Sequence, residues 1–341
     1  MTAAAAAPRA AAPAPTTRIA GLDGLRGLAA LYVVAHHCWL LCFPGYPRNT
    51  GPAWTGWLLH GRLAVVFFIT LSGFSLAVSP ARDGWRGYFR RRARRILPPY
   101  WAALALSLVV ASLVVPLPLA HPPTGRSVVV YGLLLQDFVA APAPNGAFWS
   151  IAVEAGLYVA FPLLVLLRRR CGVAALIVVA VLPVTVLGAY RQMPFTAQLA
   201  PLFAMGIAAA GLRVNRSIAV VAALPPLALI TVRGPEWTVE HYFWVDLAVG
   251  PAIALFLASL AAGRPPRLLV SRTARRLGDC SYSLYLIHMP VMALISRRLV
   301  APHVAPGVSA FALTVAVAIP ASVAAATVFA RIFERRRPVA A

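Results

Sequence analysis

The chain contains no lysine and only nine acidic residues; its 31 basic side chains are all arginine and give a formal net charge of +22. Charged residues make up 12% of the 341 and hydrophobic ones 60%, a balance that excludes an ordinary soluble domain. In a soluble protein such an excess of base would suggest nucleic acid. Here the arginines cluster between apolar runs, so they read as loop charge that sets topology and meets anionic headgroups, and no nucleic acid partner is expected. Cysteine is scarce as well. Cys38, Cys42, Cys171 and Cys280 lack the spacing of a zinc site or a disulfide framework and read as packing residues, so no metal is implied. The opening "MTAAAAAPRAAAPAPTT" has no sustained apolar core, which argues against a signal peptide and for a disordered tail over 1–18. No interior repeat is visible, and that disfavours an inverted-repeat transporter.

What the chain has in quantity is apolar runs. A bilayer core of about 30 Å needs roughly 20 residues of helix. Ten segments qualify: 22–42, 57–79, 95–116, 147–167, 172–190, 196–212, 217–232, 241–262, 281–300 and 307–330. An eleventh, "SVVVYGLLLQDFV" at 127–139, is short and ends in Gln136 and Asp137 before a Pro-rich stretch. Only Arg-rich loops should stay in the cytoplasm. With the N-terminus inside, "RDGWRGYFRRRARR", "RRR" at 168–170, "RVNR", "GRPPRLLVSRTARR" and "RIFERRR" all fall inside only if 127–139 does not cross. The expected architecture is therefore an all-α polytopic membrane protein with about ten transmembrane helices and one short re-entrant or non-crossing segment. Both tails, 1–18 and 336–341, are expected in the cytoplasm, around a membrane domain at 19–335.

Within this apolar background, intramembrane polar residues are functional candidates, because each charge costs about 2.5–3.5 kcal/mol on insertion scales. In "GLDGLRGLAALYVVAHHCWLL", Arg26 and His37 stand eleven residues apart, about 20° apart on a helical wheel and about 16 Å along the axis. They share a face, whereas His36 is displaced by about 80° and falls to a structural role. Asp23 lies within about 40° of His37; it can equally cap the helix, and Arg26 can snorkel to phosphate. A buried imidazole needs a partner, and His37 reads as the functional one.

Three further constellations stand out. "YFRRRARRILPPYW" packs five arginines into six residues; singly they serve topology and lipid, yet arginine also binds phosphate through paired donors. In "NGAFWSIAVEAGLYVAFP", Ser150, Glu154 and Tyr158 repeat every four residues on one face. Packing accounts for Trp149 and Tyr158 but poorly for a carboxylate in a span. In "DCSYSLYLIHMPV", Ser281, Tyr285 and His288 share a face, and His288 can be either structural or functional.

In order, "LDGLRGLAALYVVAHH", "VFFITLSGFSL", "RRRARRILPPYW", "NGAFWSIAVEAGLYVAFPLL" and "CSYSLYLIHMPV" closely resemble the membrane-bound acyltransferase family 3, over residues 19 to about 335. The resemblance implies transfer of an acyl group, commonly acetyl, from cytoplasmic acyl-CoA to a hydroxyl of a surface glycan, lipid or natural product, as in polysaccharide O-acetylation. It assigns the essential histidine to His37, an Arg-x-Arg element to Arg92 and Arg94 with Arg90, Arg91 and Arg95 beside it, and a Trp-Ser-x-x-x-Glu element to Trp149, Ser150 and Glu154. CoA phosphates would rest on Arg26, Arg92 and Arg94, and the pantetheine arm would carry the thioester toward His37. His37 would act as base or as transient acyl carrier. Glu154, approached from the outer side, would orient the imidazole or bind the acceptor. Asp23, Trp149, Ser150, Tyr158, Tyr285 and His288 complete the expected pocket. No bound cofactor is expected; acyl-CoA, probed first as acetyl-CoA, is a substrate. Some relatives carry a fused SGNH-type domain, whereas this sequence stops at residue 341, so it is expected to finish the transfer alone or to pass the acyl group to a separate soluble protein. The expected location is the plasma or inner membrane. The rival class is a secondary transporter or flippase of a polar lipid-linked or acylated solute.

Overall fold

The computed structural model describes residues 19–48, 51–79, 84–113, 120–189 and 196–334, so the expected tails fall outside the described residues. Every regular element among them is helical. In chain order these are α1 (Leu22–Cys42), a 3₁₀ segment (Ala53–His60), α2 (Arg62–Val78), α3 (Gly84–Leu113), α4 (Gly125–Gly132), α5 (Trp149–Ala189), α6 (Leu199–Ala209), α7 (Arg216–Glu240), α8 (Tyr242–Ala262), a 3₁₀ turn (Arg267–Val270), α9 (Arg272–Asp279), α10 (Ser281–Ile295), a π turn (Ser296–Val300) and α11 (Val308–Phe333). Seven helices are long and apolar enough to cross a membrane. One of these, α5, breaks at Gly172, whose φ of 87° and ψ of 176° interrupt the helix just after the 168–170 arginines. Two of the expected spans thus lie in α5, and the shorter α6 and α10 account for two more. The exposed valines and leucines of the second half of α5 and of α7, such as Val179, Leu182, Val220 and Leu224, form lipid-facing surface.

Glycine sets the closest helix crossings. A β-carbon on Gly73 of α2 would collide with the Phe203 carbonyl of α6, and one on Gly206 would collide with the Thr70 carbonyl. The two backbones are in contact, the arrangement that small residues permit where lipid supplies no hydrophobic drive. Gly27 of α1 meets Leu277 and Gly278 of α9 in the same way.

The arginine-rich loops gather at one end of the bundle, the end where α1 begins. Arg168 donates to the Ile207 carbonyl at 2.7 Å and to the Ala210 carbonyl, closing the C-terminus of α6. Arg216 donates to the Arg264 carbonyl. At the end of α11, Glu334 accepts from the Ser283 N–H at 3.1 Å. The segment at 127–139 does not cross. Tyr100 donates to the Tyr131 carbonyl at 2.8 Å and Trp101 to the Gly132 carbonyl at 2.9 Å. The chain then turns at Leu134, φ 58°, and runs back until Asn145 reaches Ser107 at 3.0 Å, about two turns further along α3. A backbone bond from the His121 N–H to the Ala143 carbonyl, 2.8 Å, joins the two arms of this loop.

Sidedness is testable through one exposed thiol. Cys171 is exposed at the α5 break, while Cys38, Cys42 and Cys280 are buried. A membrane-impermeant maleimide applied to intact cells is expected to miss Cys171 and to label it in inverted vesicles. Labelling from outside would reverse the orientation derived from the arginine loops.

Candidate active site

A cavity of about 380 Å³ opens at the arginine end between α1, α2, α3, α5 and α10. Helix α1 places Asp23 and Arg26 on its wall, where Arg26 pairs with Asp23 at 2.9 Å and donates to Ser75 of α2 at 2.7 Å. From α3 come Arg92 and Arg95. The guanidinium of Arg92 lies 5.8 Å from the Tyr158 ring centre, and its buried Nε has no hydrogen-bond partner among the described residues. Across from them, Glu154 of α5 accepts from Ser72 at 2.8 Å and from Tyr158 at 2.6 Å.

Proline chemistry shapes this wall. Pro162 has no N–H, so the Tyr158 carbonyl four residues earlier loses its helical partner and instead accepts from Tyr88 at 3.0 Å. Pro290 frees the Leu286 carbonyl in the same way, and Asn145 donates to it at 3.4 Å.

The inner roof consists of Ser150 and Tyr285, with Phe68 beside them. The Tyr285 hydroxyl donates to the Ala147 carbonyl at 3.0 Å, which leaves Ser150 to donate to the tyrosine oxygen at 2.7 Å. The Phe68 and Tyr285 ring centres are 6.1 Å apart. Beyond that roof lie two histidines. His288, fully buried, bonds the Tyr285 carbonyl through Nδ1 at 2.8 Å, and its Nε2 lies 3.2 Å from His37 Nδ1. His37 Nδ1 also sits 2.8 Å from the Val33 carbonyl. Since a carbonyl only accepts, each Nδ1 carries a proton, and the lone pair of neutral His37 stands on Nε2. His36 is different: it is buried, bonded to the Leu58 carbonyl at 2.5 Å and packed against Gly61.

The sequence-predicted residues therefore divide. Asp23, Arg26, Arg92, Ser150, Glu154, Tyr158 and Tyr285 share the cavity, and His37 meets His288 behind its roof. Three expectations change. Arg94 does not line the cavity and Arg95 takes the place beside Arg92, because the element is helical and residues two apart point to opposite sides. Glu154 faces the arginine-end cavity rather than the outer side, because its carboxylate is held by Ser72 and Tyr158 one turn further into α5. Trp149 does not reach the cavity; its ring lies against the Arg62 guanidinium, 4.9 Å from ring centre to carbon. Arg62 itself escaped the sequence reading, as did its partner Asp246, fully buried in α8. The rule that picked out Glu154, a carboxylate inside an apolar run, applies equally to Asp246 in "YFWVDLAVG".

Residues 19–331 match the family model for an acyltransferase domain, that of acyltransferase family 3. The chain belongs to this family. The family makes it a multi-pass membrane O-acyltransferase, and the transporter alternative loses its support. Among its relatives, acyltransferase MdmB of Streptomyces mycarofaciens is 29% identical over 325 residues, covering 82% of this chain and 80% of that protein. YrhL of Bacillus subtilis (strain 168), provisionally named a peptidoglycan O-acetyltransferase, is 27% identical over 187 residues, 48% of this chain and 27% of that protein. Nodulation protein 10 of Rhizobium leguminosarum bv. viciae is 30% identical over 176 residues, 47% of each chain. The chain thus spans less than half the length of the last two. No solved structure matches it. Within the acyltransferase, the cavity joins Arg26 of the first span to the Ser150–Glu154 element, and the His37–His288 pair lies behind its roof.

Proposed function

We propose that this acyltransferase moves an acetyl group from cytoplasmic acetyl-CoA to a hydroxyl of a glycan, lipid-linked sugar or natural product at the plasma or inner membrane. The observation that carries the reading is the cavity at the arginine end, with Arg26, Arg92 and Arg95 on its wall and an unpartnered donor at Arg92. Guanidinium groups suit the phosphates of CoA. Arg26 is steadied by Asp23 and Ser75, which suits a fixed anchor. The pantetheine arm would run along Ser72, Ser150 and Glu154 and pass the Phe68–Tyr285 roof, so that movement of Tyr285 is part of the reaction path. The name of YrhL supports acetyl as the group and oxygen as its target.

In the transfer, His37 Nε2 takes the proton of the acceptor hydroxyl as that oxygen attacks the thioester carbonyl. The C–S bond breaks, the acetyl group stays on the acceptor oxygen, and the thiolate leaves with the proton from the imidazole. In the two-step variant His37 Nε2 attacks first and carries the acetyl group to the hydroxyl. His288 fixes the His37 tautomer in either case. A separate soluble protein could serve as acceptor.

The test is turnover of acetyl-CoA by the purified chain in detergent, where no gradient exists. Release of CoA with acetylation of an added sugar or polyketide hydroxyl supports the reading; binding of acetyl-CoA with no turnover on any acceptor, water included, overturns it. Glu154→Gln keeps the shape and the acceptor oxygen while removing the charge that faces the arginines. We expect about a hundredfold loss of kcat; near-normal turnover would reduce Glu154 to a wall residue.

A further inference from the structure

Outside the cavity, a buried ion pair joins Arg62 of α2 to Asp246 of α8. Arg62 Nη2 and Nε lie 2.8 and 3.0 Å from one carboxylate oxygen of Asp246. The guanidinium is sandwiched, with the Trp149 ring centre 4.9 Å away on α5 and the Tyr242 ring centre 4.4 Å away on α8. Both charges are withdrawn from solvent, with side-chain exposures of 14% and 1%. Such a pair in the membrane gains little stability over apolar residues of the same volume, because desolvation offsets the Coulomb attraction. Simple packing does not explain why this protein keeps it.

The contacts that lead away from it do. Trp149 is followed by Ser150, which donates to the Tyr285 hydroxyl at 2.7 Å. The Tyr285 carbonyl accepts from His288 at 2.8 Å, and His288 holds His37 at 3.2 Å. One unbroken series of contacts thus runs from α8 through α2, α5 and α10 to α1. We propose that Arg62, clamped by Asp246, is a positioning residue for the acyltransferase: it fixes Trp149 and the first turn of α5, and through Ser150, Tyr285 and His288 it sets the orientation of His37. Arg62 is not among the residues that line the cavity. A planar guanidinium is required at this position because it stacks on two rings while donating twice to one carboxylate oxygen, which an ammonium cannot do. The proposal rests on the acyl-transfer reading for its kinetic test and on geometry alone for its labelling test.

Arg62→Lys keeps the charge and loses the stacking plane. The double variant Arg62→Met/Asp246→Leu removes both charges, so no unpaired ion is left in the membrane and insertion is preserved. Both are expected to elute as the wild type does in detergent, to lower kcat for acetyl transfer tenfold or more, and to leave KM for acetyl-CoA within about twofold. Arg48→Ala, which removes the exposed Arg48–Glu236 pair, is the ion-pair control and should be neutral. Wild-type kcat in the double variant would overturn the proposal. The second readout needs no acyl transfer: the rate at which diethyl pyrocarbonate modifies His37, followed by peptide mass spectrometry. The rate in Arg62→Lys should differ from wild type by at least threefold, and an unchanged rate would overturn the coupling. A wild-type chain that fails to turn over acetyl-CoA while its His37 labelling still responds to Arg62 would sink the function reading and leave the positioning role standing.

Discussion

His37→Ala is expected to lower acyl transfer by roughly 10²–10⁴-fold, the range for removal of a positioned general base, while the chain still inserts and elutes as a single species. The reason lies in the tautomer. The Val33 carbonyl and His288 both meet Nδ1, so the neutral ring presents its lone pair at Nε2. His36→Ala should behave differently although it is the adjacent imidazole. Its Nδ1 is taken by the Leu58 carbonyl and its ring is packed on Gly61, so its loss should cost stability by about 1–3 kcal/mol from the unsatisfied carbonyl and leave kcat within about tenfold. Measuring kcat and thermal unfolding side by side for the two variants separates the roles. Comparable loss of kcat at both positions would remove the argument from tautomer and face.

Gly206→Leu is expected to have the largest effect on the fold itself. A β-carbon there runs into the Thr70 carbonyl and the Phe74 N–H of α2, both backbone groups that cannot rotate away. The crossing of α2 and α6 must open, with a penalty at or above the usual 1–3 kcal/mol of overpacking. Because α2 also carries Ser72 and Ser75, the cavity wall would move with it. We expect loss of the monodisperse species in detergent chromatography and a marked fall in unfolding temperature. Gly156→Leu is the matched comparison: it sits on α5 with nothing within 4 Å of its added β-carbon and should be tolerated. A well-behaved Gly206→Leu protein with normal turnover would mean that α2 and α6 are not in backbone contact.

The sequence by itself determined the fold class and picked out many of the residues that line the cavity. Apolar runs and arginine clusters specify where helices lie and which loops gather together, because burying charge in lipid is costly enough to dominate every local preference. The same cost marked Glu154, and helical periodicity separated His37 from His36, since a one-residue step turns a side chain by about 100°. The short run at 127–139 could be identified as non-crossing from charge alone. Three features were decided only by the tertiary structure. The depth of Glu154 depends on which neighbouring helix offers it hydroxyls, and Ser72 is 82 residues away in the chain. The choice of Arg95 over Arg94 depends on how α3 is rotated against α1 and α5, which packing sets and a run of arginines does not reveal. The pairings of His37 with His288 and of Arg62 with Asp246 span 251 and 184 residues. Periodicity reports the face of a single helix, whereas a partner is fixed by which helices pack side by side, and that is a property of the assembled bundle.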